Sequence, residues 1–313
     1  MATVSCIIPV YNAAPWLERA VQSLVDCRLG TVLEIVLVDD GSTDNSLEVA
    51  NRIQSQISGV QVLSHPGNSN RGVSATRNLG LGRSTGELIC LLDGDDYVYP
   101  HRFEAGLQIL SKQPQVDAVY DLCEMVFADE QAKALWFAGQ STFGFTEPIA
   151  PDQLLKQLLK GRCWATSAIL FRRSLLTKTG LFDPELKIAE DCHLWFRMAV
   201  AGKLVSGDLS RPVSAYWRTS GSAYQPGMSR RLEMLKSMQR FLQWLSGRPE
   251  YRHRVAEAQA AVRDYALNGI IAARSGKQKQ LAWSLAKRSF QMFPSVAFDW
   301  RFQRQFLSMI LGR

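Results

Sequence analysis

Short apolar runs alternate with amphipathic segments through the first third of the chain, and this alternation constrains the fold more than any other feature. The apolar runs that we predict to be strands are residues 4–10, 33–38, 60–63 and 88–92. Residues 15–27 and 46–55 carry apolar side chains at helical spacing. Strands that alternate with helices form βαβ units with parallel strands. The sequence therefore predicts an α/β fold with a doubly wound, mostly parallel sheet flanked by helices.

Three carboxylates follow the fourth apolar run directly. Asp93, Asp95 and Asp96 lie within four positions, where a parallel strand delivers side chains to the carboxyl edge of its sheet. Carboxylates packed this closely raise one another's pKa unless a cation lies among them. A divalent ion such as Mg²⁺ or Mn²⁺, shared with substrate phosphates, would resolve that conflict. A solvated acidic turn is the competing interpretation, because Asp and Gly both favour turns.

Two Arg and two Asn residues lie between the third and fourth predicted strands, at Asn70, Arg71, Arg77 and Asn78. Because Arg pairs with phosphate oxygens through two hydrogen bonds, guanidinium groups beside the acids would suit a phosphate-bearing substrate. A solvated helix face would give the same pattern, so the segment leaves both interpretations open.

Several protein classes are excluded by what the chain lacks. Gly80, Gly82 and Gly86 have the wrong spacing for a dinucleotide fingerprint and precede a strand instead of following one, which rejects an NAD-type oxidoreductase. There is no Walker A sequence. The six cysteines form no Cys-x-x-Cys pair, so reduced thiols in a cytosolic protein are expected. The N-terminus leads straight into a strand, which argues against a signal peptide, and no apolar stretch approaches a membrane span.

Charge divides the chain into two parts. Residues 230–313 hold 16 Lys and Arg against 5 Asp and Glu, a net charge of +11. Because the whole chain has a net charge of +7, residues 1–229 carry −4. After residue 229 the apolar spacing is helical only. We therefore predict an α/β domain at residues 1–228 and a basic, all-helical region at residues 229–313, two surfaces suited to different partners.

Five segments occur in the order seen in family 2 glycosyltransferases of the GT-A fold, and the chain resembles that family from about residue 4 to residue 216. The matching segments are SCIIPVYN at 5–12, VDDGSTD at 38–44, NRG at 70–72, LDGDD at 92–96, and GLFDPEL with AEDCHLW at 180–195. The resemblance implies a GT-A type, Rossmann-like sheet and a nucleotide-diphosphate-sugar donor, with a UDP-sugar favoured.

The resemblance also implies which side chains hold the donor. The matching positions are Pro9, Tyr11, Asn12, Asp39, Asp40, Asn70, Arg71, Asp93 and Gly94. In such sites an aromatic ring offers its face to the base, and a carboxylate accepts a hydrogen bond from the base or the ribose. A strand-end turn and a core aromatic are the alternative interpretation of Pro9 and Tyr11.

The metal and catalytic positions are implied in the same way. Asp93 and Asp95 match the Asp-x-Asp motif that binds Mg²⁺ or Mn²⁺, which neutralises the departing diphosphate. Asp191, next to Glu190, matches the general base that takes the proton of the acceptor hydroxyl, so the anomeric carbon is inverted. Without the other motifs, both acids could simply be favoured by the dipole of the helix that they begin.

One departure from the family pattern concerns the segment after this helix. Relatives have a His shortly after the position of Tyr216, but this chain has none there, so the third metal ligand is unassigned. We expect Arg218 to supply charge, residues 219–228 to form a lid that closes on the donor, and Trp164 to face the acceptor. His193 is interpreted as a surface or packing residue.

The last helical segment has an apolar side and basic residues. Its apolar side carries Phe298, Phe302, Phe306, Met309 and Ile310. Arg301 and Arg304 lie elsewhere on it, which is typical of a helix on an anionic membrane surface. Packing of these helices on the α/β domain is an equally weighted alternative. A nucleic-acid partner is disfavoured because no recognition motif accompanies the charge.

Together these features predict a metal-dependent, inverting glycosyltransferase that transfers a hexosyl or related group. Its acceptor would be a saccharide or a lipid-linked molecule, in polysaccharide or glycoconjugate synthesis. The expected location is the cytoplasm, with peripheral contact to the cytoplasmic face of a membrane. A sugar-phosphate nucleotidyltransferase is the first alternative, but it should carry a Gly-rich basic loop after the first strand. A non-catalytic nucleotide-sugar binding module is the second, but it should have lost the acids.

Overall fold

A seven-stranded sheet forms the centre of the fold in the computed structural model, which describes residues 3–27, 33–136, 141–219 and 228–310. The strands in these ranges are β1 (Val4–Val10), β2 (Leu33–Asp39), β3 (Val60–Ser64), β4 (Leu88–Leu91), β5 (Tyr97–Val98), β6 (Ala118–Tyr120), β7 (Cys123–Phe127), β8 (Thr142–Phe143), β9 (Ile169–Arg172), β10 (Leu204–Ser206) and β11 (Ser214–Arg218). The central sheet has the order β10-β6-β9-β4-β1-β2-β3. Only β9 runs antiparallel to its neighbours within this sheet. The predicted mostly parallel α/β sheet is thus confirmed.

Helices cover both faces of the sheet and continue beyond it. Those described are α1 (Ala14–Val25), α2 (Ser46–Gln56), α3 (Val73–Arg83), α4 (Glu104–Lys112), α5 (Glu130–Trp136), α6 (Pro151–Leu158), α7 (Leu175–Thr179), α8 (Glu190–Ala201), α9 (Met228–Ser246), α10 (Val255–Ser275), α11 (Lys279–Met292) and α12 (Trp300–Ile310). None of them is both long and apolar enough to cross a membrane, as far as the described part of the chain goes.

Strand β1 shows why the sheet is buried on both faces. Cys6, Ile8 and Val10 pack into the core under α1 and α2, while Ile7, which points the other way, belongs to the core under α3 and α8. Adjacent side chains of a strand point to opposite faces, so a mostly apolar, buried run such as Val4–Val10 must be covered on both. This packing suits β1 to its interior position between β4 and β2.

The register of the sheet brings the predicted functional segments to one edge. Val10 pairs with Asp39 on β2, and Ile7 pairs with Leu91 on β4. Because these strands are parallel, their carboxyl ends meet, and the residues that follow them must lie close together.

A second, four-stranded sheet of order β5-β11-β7-β8 closes one side of that edge. Strand β5 comes directly after the acidic cluster and pairs with β11. The carboxylate of Asp96 accepts a hydrogen bond from the Trp217 backbone N–H at 2.8 Å, which ties the acidic turn to β11. The small sheet therefore holds Tyr216 and Arg218 beside the acids.

The C-terminal helices share a core with the α/β part. Leu235, Met238 and Phe241 of α9 are fully buried in the same apolar cluster as Ile7, and the rings of Phe196 and Phe241 lie 5.4 Å apart. The helical character predicted for this region is confirmed. The division at residue 228 stays a prediction about sequence character, because both parts contribute side chains to one core.

The last helix packs differently from the sequence-based expectation. Phe302 is completely buried, and Phe306 and Met309 also pack against the core, so this side of α12 cannot face lipid. Phe298, which was grouped with them, is instead exposed. The packing alternative is thus correct for the inner side of α12, since aromatic side chains at helical spacing bury one stripe of the helix.

His193 links α8 to α9 and the preceding loop. Its ring is buried, and Nδ1 lies 4.0 Å from Asp183, which itself binds the guanidinium of Arg240 on α9. Burial, with help from Arg197, lowers the pKa of His193 to about 3 against the opposing effect of Asp183. The packing interpretation of this residue is confirmed.

We expect His193 to make the protein sensitive to acid. Since the pKa of His193 is about 3 in the folded state, only the unfolded chain takes up a proton at this site below about pH 6.5. Stability should therefore fall as the pH falls, by about 2 kcal/mol between pH 7 and pH 5 from this group. Urea unfolding at both pH values should show this loss in the wild type and its absence in His193→Gln. A control, exposed His253→Gln, should retain the wild-type loss, and an equal loss in His193→Gln would refute the assignment.

Candidate active site

An open cleft of about 720 Å³ lies at the carboxyl edge of the central sheet. Most of the side chains predicted from the sequence line it, namely Pro9, Tyr11, Asn12, Asp40, Asp93, Gly94, Asp95, Glu190, Asp191 and Arg218. Asp39, Asn70, Arg71 and Trp164 are absent from its lining.

An aromatic face lines the end of the cleft next to β1 and β2, and an unsatisfied carboxylate outside the lining lies at the end of β2. Tyr11 is 52% exposed beside Pro9. Asp39 is buried, and its Oδ2 accepts hydrogen bonds from the backbone N–H groups of Gly41 and Ser42 at 3.0 and 3.2 Å. Its Oδ1 is also buried and has no hydrogen-bond partner among the described residues. A buried oxygen of this kind costs stability until a ligand supplies a donor.

Asn12 lines this end of the cleft and also shapes it. Its backbone has a φ of +51°, in the left-handed region that Asn tolerates better than most residues. The side-chain Oδ1 accepts hydrogen bonds from the backbone N–H groups of Thr43 and Asp44 at 2.8 and 3.3 Å. Asn12 thereby fixes the loop that follows β2.

Asp40 has a similar structural task. Its two carboxylate oxygens accept the backbone N–H groups of Arg71 and Gly72 at 2.7 and 3.0 Å, which anchors the start of α3. The Arg71 guanidinium bonds to Ser69 at 3.1 Å, and both Asn70 and Arg71 are exposed. The expectation that Arg71 lies at the phosphates stays a prediction, although its side chain does not line the cleft in this conformation.

Arg77, on α3, is the central cation of the site and was missed as an individual residue. It is buried, donates to Asp93 Oδ1 through Nη2 and to Glu190 Oε1 through Nη1, both at 2.7 Å, and contacts the ring of Phe182. Burial lowers the pKa of Arg77, but Asp93 and Glu190 raise it well above the usual value. The signal was its position: Ser74, Arg77 and Leu81 share the buried side of α3, where an Arg requires partners.

The acidic turn contains two carboxyl groups with raised pKa values. Burial, and then the charge of Asp93, raises the pKa of Asp95 to about 6, against Arg218. Burial, Asp95 and Asp93 raise the pKa of Asp96 well above its usual range. Gly94 lets the turn approach β1, since a Cβ there would lie 3.2 Å from the Pro9 carbonyl oxygen. The charge conflict predicted from the sequence is therefore present.

A divalent cation fits this arrangement only if the donor contributes ligands. The described ranges contain no group of three or more His, Cys, Asp or Glu side chains arranged to hold a metal. Asp93 and Asp95 both line the cleft, and Mg²⁺ is commonly held by one or two carboxylates together with substrate phosphates and water. A bound cation would lower the raised pKa of Asp95.

Glu190 and Asp191 begin α8 and differ in their burial and contacts. The preceding Ala189 has a φ of +60°, and its carbonyl oxygen accepts a hydrogen bond from Ser237 Oγ of α9 at 2.9 Å. Glu190 is buried against Arg77, and burial with the charge of Asp191 raises its pKa to about 7 despite Arg77. Asp191 is only half-buried and lines the cleft. Asp191 is thus the better placed of the two to receive a proton from a ligand.

Arg218 and Tyr216 stand opposite these acids on β11. Arg218 is buried, with its guanidinium 3.1 Å from the centre of the Tyr216 ring. Burial lowers the pKa of Arg218, while Asp96, Asp95 and Asp93 raise it. The expected charge next to the acidic turn is therefore in place. The lid expected at residues 219–228 lies almost entirely outside the part of the chain that the structure describes.

Trp164 was wrongly expected to face the acceptor. Its ring is completely buried and stacks on Tyr120 with 4.6 Å between centroids, near Trp195 at 5.7 Å. Its neighbours Cys163 and Ala165 line the cleft in its place. A Trp between two cleft residues points away from the cleft because the chain turns the larger apolar ring into the core.

Several further cleft residues were not foreseen, and two of them come from the C-terminal region. Arg230 and Met234 on α9 line the cleft beside Lys187 and the stacked pair of Phe143 and Tyr216. The change to purely helical spacing predicts a separate region and so does not place α9 at the site. Only the tertiary packing of α9 against α8 brings these side chains to the cleft.

Comparison with known proteins agrees with this geometry. A family model described as Glycosyl transferase family 2 matches residues 5–178, more than half of the chain. The chain belongs to this family. An uncharacterized glycosyltransferase of Rickettsia typhi is 31% identical over 196 residues, which cover 62% of this chain and 58% of the relative. One from Nostoc is 30% identical over 224 residues, 70% of this chain and 65% of the relative. The family 2 resemblance predicted from the motifs is confirmed, and the chain spans about three fifths of the length of these relatives.

Solved structures show the same fold. The structure of S. aureus TarS 1–349 in complex with UDP-GlcNAc has a TM-score of 0.69 at 18% identity, covering 94% of this chain and 82% of that one. The mannosyltransferase PcManGT from Pyrobaculum calidifontis, in complex with GDP-Man and Mn²⁺, has a TM-score of 0.55 at 17% identity and covers 99% of this chain and 87% of that one. At such identities the likeness shows the fold, and the GT-A prediction is confirmed.

We expect Arg77 to hold the site together. Arg77→Met would leave Glu190 and Asp93 without their buried partner, so the free energy of unfolding should fall by about 3–5 kcal/mol. The free energy of unfolding of Arg77→Lys should lie between those of Arg77→Met and the wild type, because one ammonium group cannot form the same bridge to two carboxylates. The control Arg52→Met removes an exposed pair with Glu18 and should cost less than about 1 kcal/mol. Equal costs for the Arg52 and Arg77 variants in urea unfolding would contradict this role.

Proposed function

We propose that this protein is an inverting glycosyltransferase that moves a hexosyl or related sugar from a nucleotide-diphosphate donor to an acceptor hydroxyl. The observation that carries the proposal is the bridge through Arg77. One guanidinium lies 2.7 Å both from Asp93 of the acidic turn and from Glu190, the neighbour of Asp191. The acids suited to a departing diphosphate and the carboxylate suited to a base therefore meet in one cleft.

The donor site would use the side chains at the ends of β1 and β2. Tyr11 offers an exposed ring to stack on a nucleobase. The Oδ1 of Asp39, which has no hydrogen-bond partner in the described structure, would accept from the base imide or a ribose hydroxyl. The TarS neighbour is described with UDP-GlcNAc and the mannosyltransferase with GDP-Man. We favour a UDP-sugar, in keeping with the sequence-based expectation.

Asp93 and Asp95 would hold a divalent cation together with the donor. Such an ion, Mg²⁺ or Mn²⁺, would supply positive charge to the diphosphate as it leaves. Asp93 keeps its orientation through Arg77, and Asp96 fixes the turn to β11. Arg218 adds a further positive charge on the same side of the turn.

Asp191 would act as the general base. Its carboxylate takes the proton of the acceptor hydroxyl while the hydroxyl oxygen bonds to the anomeric carbon. The bond between that carbon and the diphosphate oxygen breaks on the opposite face, and the diphosphate leaves with the electron pair. One displacement of this kind inverts the anomeric configuration. Glu190 serves as a positioning residue, because its carboxylate is bonded to Arg77.

The metal proposal predicts cation-dependent donor binding. Titration calorimetry of UDP and UDP-GlcNAc should show tighter binding with Mn²⁺ than with EDTA, because the cation links the acids to the diphosphate. Asp95→Asn should lose most of that difference, whereas Asp152→Asn, an exposed acid on α6, should keep it. Equal binding with Mn²⁺ and EDTA in the wild type would refute the metal dependence.

The base proposal predicts a loss of turnover without a loss of donor binding. Asp191→Asn keeps the shape of the side chain but cannot take up a proton, so kcat should fall by about 10²–10⁴. Donor hydrolysis, in which water replaces the acceptor, provides the rate, and calorimetry provides the affinity. Asp152→Asn serves again as the matched control.

The result for the neighbouring acid separates the two roles. Glu190→Gln should lower stability together with kcat, because it weakens the bond to Arg77. Unchanged hydrolysis by Asp191→Asn would show that the proton acceptor is another group.

The acceptor would be a saccharide or a lipid-linked molecule in polysaccharide or glycoconjugate synthesis. The acceptor end of the cleft combines the rings of Phe143 and Tyr216 with the basic side chains Lys187 and Arg230. Aromatic faces suit sugar rings, and the cations would suit an acceptor that carries negative charge.

A further inference from the structure

The outer side of α12 carries exposed apolar side chains. Trp300 is 68% exposed, Leu307 is 60% exposed, and the exposed Arg304 lies between them at the spacing i, i+4, i+7. Because helix residues at this spacing share one side, these three form a stripe. The opposite side, with Phe302, is buried in the core. The helix is therefore apolar on both sides, and among the residues that the structure describes only the inner side is covered.

A second stripe of similar character lies on α11. Lys279, Trp283 and Lys287 are exposed at the spacing i, i+4, i+8. The ring of Trp283 packs edge-on against Phe306 of α12 with 5.9 Å between centroids. The α11 stripe therefore meets α12 at Phe306, the residue before Leu307. Phe298, just before α12, is 88% exposed.

The charge around these aromatic rings is strongly one-sided. Residues 277–310 contain six Lys and Arg and one acid, Asp299. Asp299 is itself paired with Arg301 at 3.0 Å. Asp264 of α10 also pairs with Arg301, at 3.1 Å, so both acids contact the same guanidinium. With both acids counted, basic residues are still in excess around the exposed apolar groups.

We propose that this surface, the α11–α12 face of Trp283, Phe298, Trp300, Arg304 and Leu307, docks onto anionic membrane lipids. Trp and Phe rings beside Lys and Arg are suited to the boundary between headgroups and acyl chains. Large exposed apolar groups on a soluble protein commonly mark an interaction site. The residues differ from those expected from the sequence, because Phe302, Phe306 and Met309 are used in the core.

Charge favours lipid over a second copy of this chain as the occupant. Two copies that paired symmetrically through this face would bring like charges together. An anionic bilayer instead attracts each Lys or Arg near its surface, and apolar rings gain from leaving water. Since α9 lines the cleft and packs into the same core cluster as α12, the cleft would be held at the membrane surface.

Vesicle sedimentation of the full chain tests this proposal without a sugar donor. The protein should bind vesicles that contain phosphatidylglycerol, bind vesicles of phosphatidylcholine alone much less, and dissociate as salt rises past about 0.15 M. Trp300→Ser with Leu307→Ser should weaken binding at least about tenfold, since both side chains would enter the interface. The control Leu181→Ser removes an exposed Leu elsewhere and should bind as the wild type. All three positions are exposed, so the thermal transition should not change.

A matched pair of charge variants separates docking from general attraction. Arg304→Gln and Arg301→Gln each remove one charge from α12, but the Arg301 guanidinium is held by Asp299 and Asp264. Arg304→Gln should weaken binding about fivefold, and Arg301→Gln should have a smaller effect.

Three results would overturn the proposal. They are no binding to phosphatidylglycerol vesicles, equal effects of the two Arg variants, and unchanged binding of the Trp300→Ser, Leu307→Ser variant. If the wild type does not bind vesicles but self-associates as its concentration rises, and the double variant does not self-associate, the face belongs to a contact with a second copy.

Discussion

The bridge from Arg77 to Asp93 and Glu190 is the interaction on which the rest of the site depends. Its two hydrogen bonds, both 2.7 Å long, join residues from α3, from the turn after β4 and from the start of α8. A buried guanidinium is tolerable only when its charge is matched, and here two carboxylates match it. The same bond occupies Glu190, so the more exposed Asp191 is left as the carboxylate suited to accept a proton. One ion-pair network thus fixes the positions of Asp93 and Glu190.

The sheet explains why these distant segments meet. The strands β1, β2 and β4 are parallel and adjacent, and their carboxyl ends deliver Tyr11, Asp39 and Asp93 to one edge. Several polar residues at that edge also hold backbone: Asn12 binds the loop after β2, and Asp40 binds the start of α3. A polar residue in a motif can therefore shape the site as well as line it. Asp39 differs, because one of its buried oxygens lacks a partner in the described structure.

The fold and the positions of the acids could be predicted from the sequence because both depend on patterns of neighbouring residues. The apolar runs at 4–10 and 88–92 gave β1 and β4, and the acids stand directly after a run or at a helix start. Arg77 could not be singled out in this way, since its partner Glu190 lies 113 positions away and only packing joins them. Trp164 shows the opposite error: an aromatic between two cleft residues is turned into the core, where it stacks on Tyr120. The spacing of residues along the sequence does not by itself predict which side chains are buried or which distant residues pair.

The C-terminal helices are basic, and they also belong to the packed unit that forms the cleft. Ser237 of α9 bonds the Ala189 carbonyl, so α9 supports the left-handed residue that precedes the two acids of α8. Arg230 and Met234 of the same helix line the cleft. Further along, α12 buries Phe302 in the core that α9 shares and exposes Trp300 and Leu307 on its other side. Because one continuous core joins these helices, a force applied at the outer side of α12 acts on the same packed unit that positions Asp191. Anchoring that surface would therefore orient the cleft without any change in its chemistry.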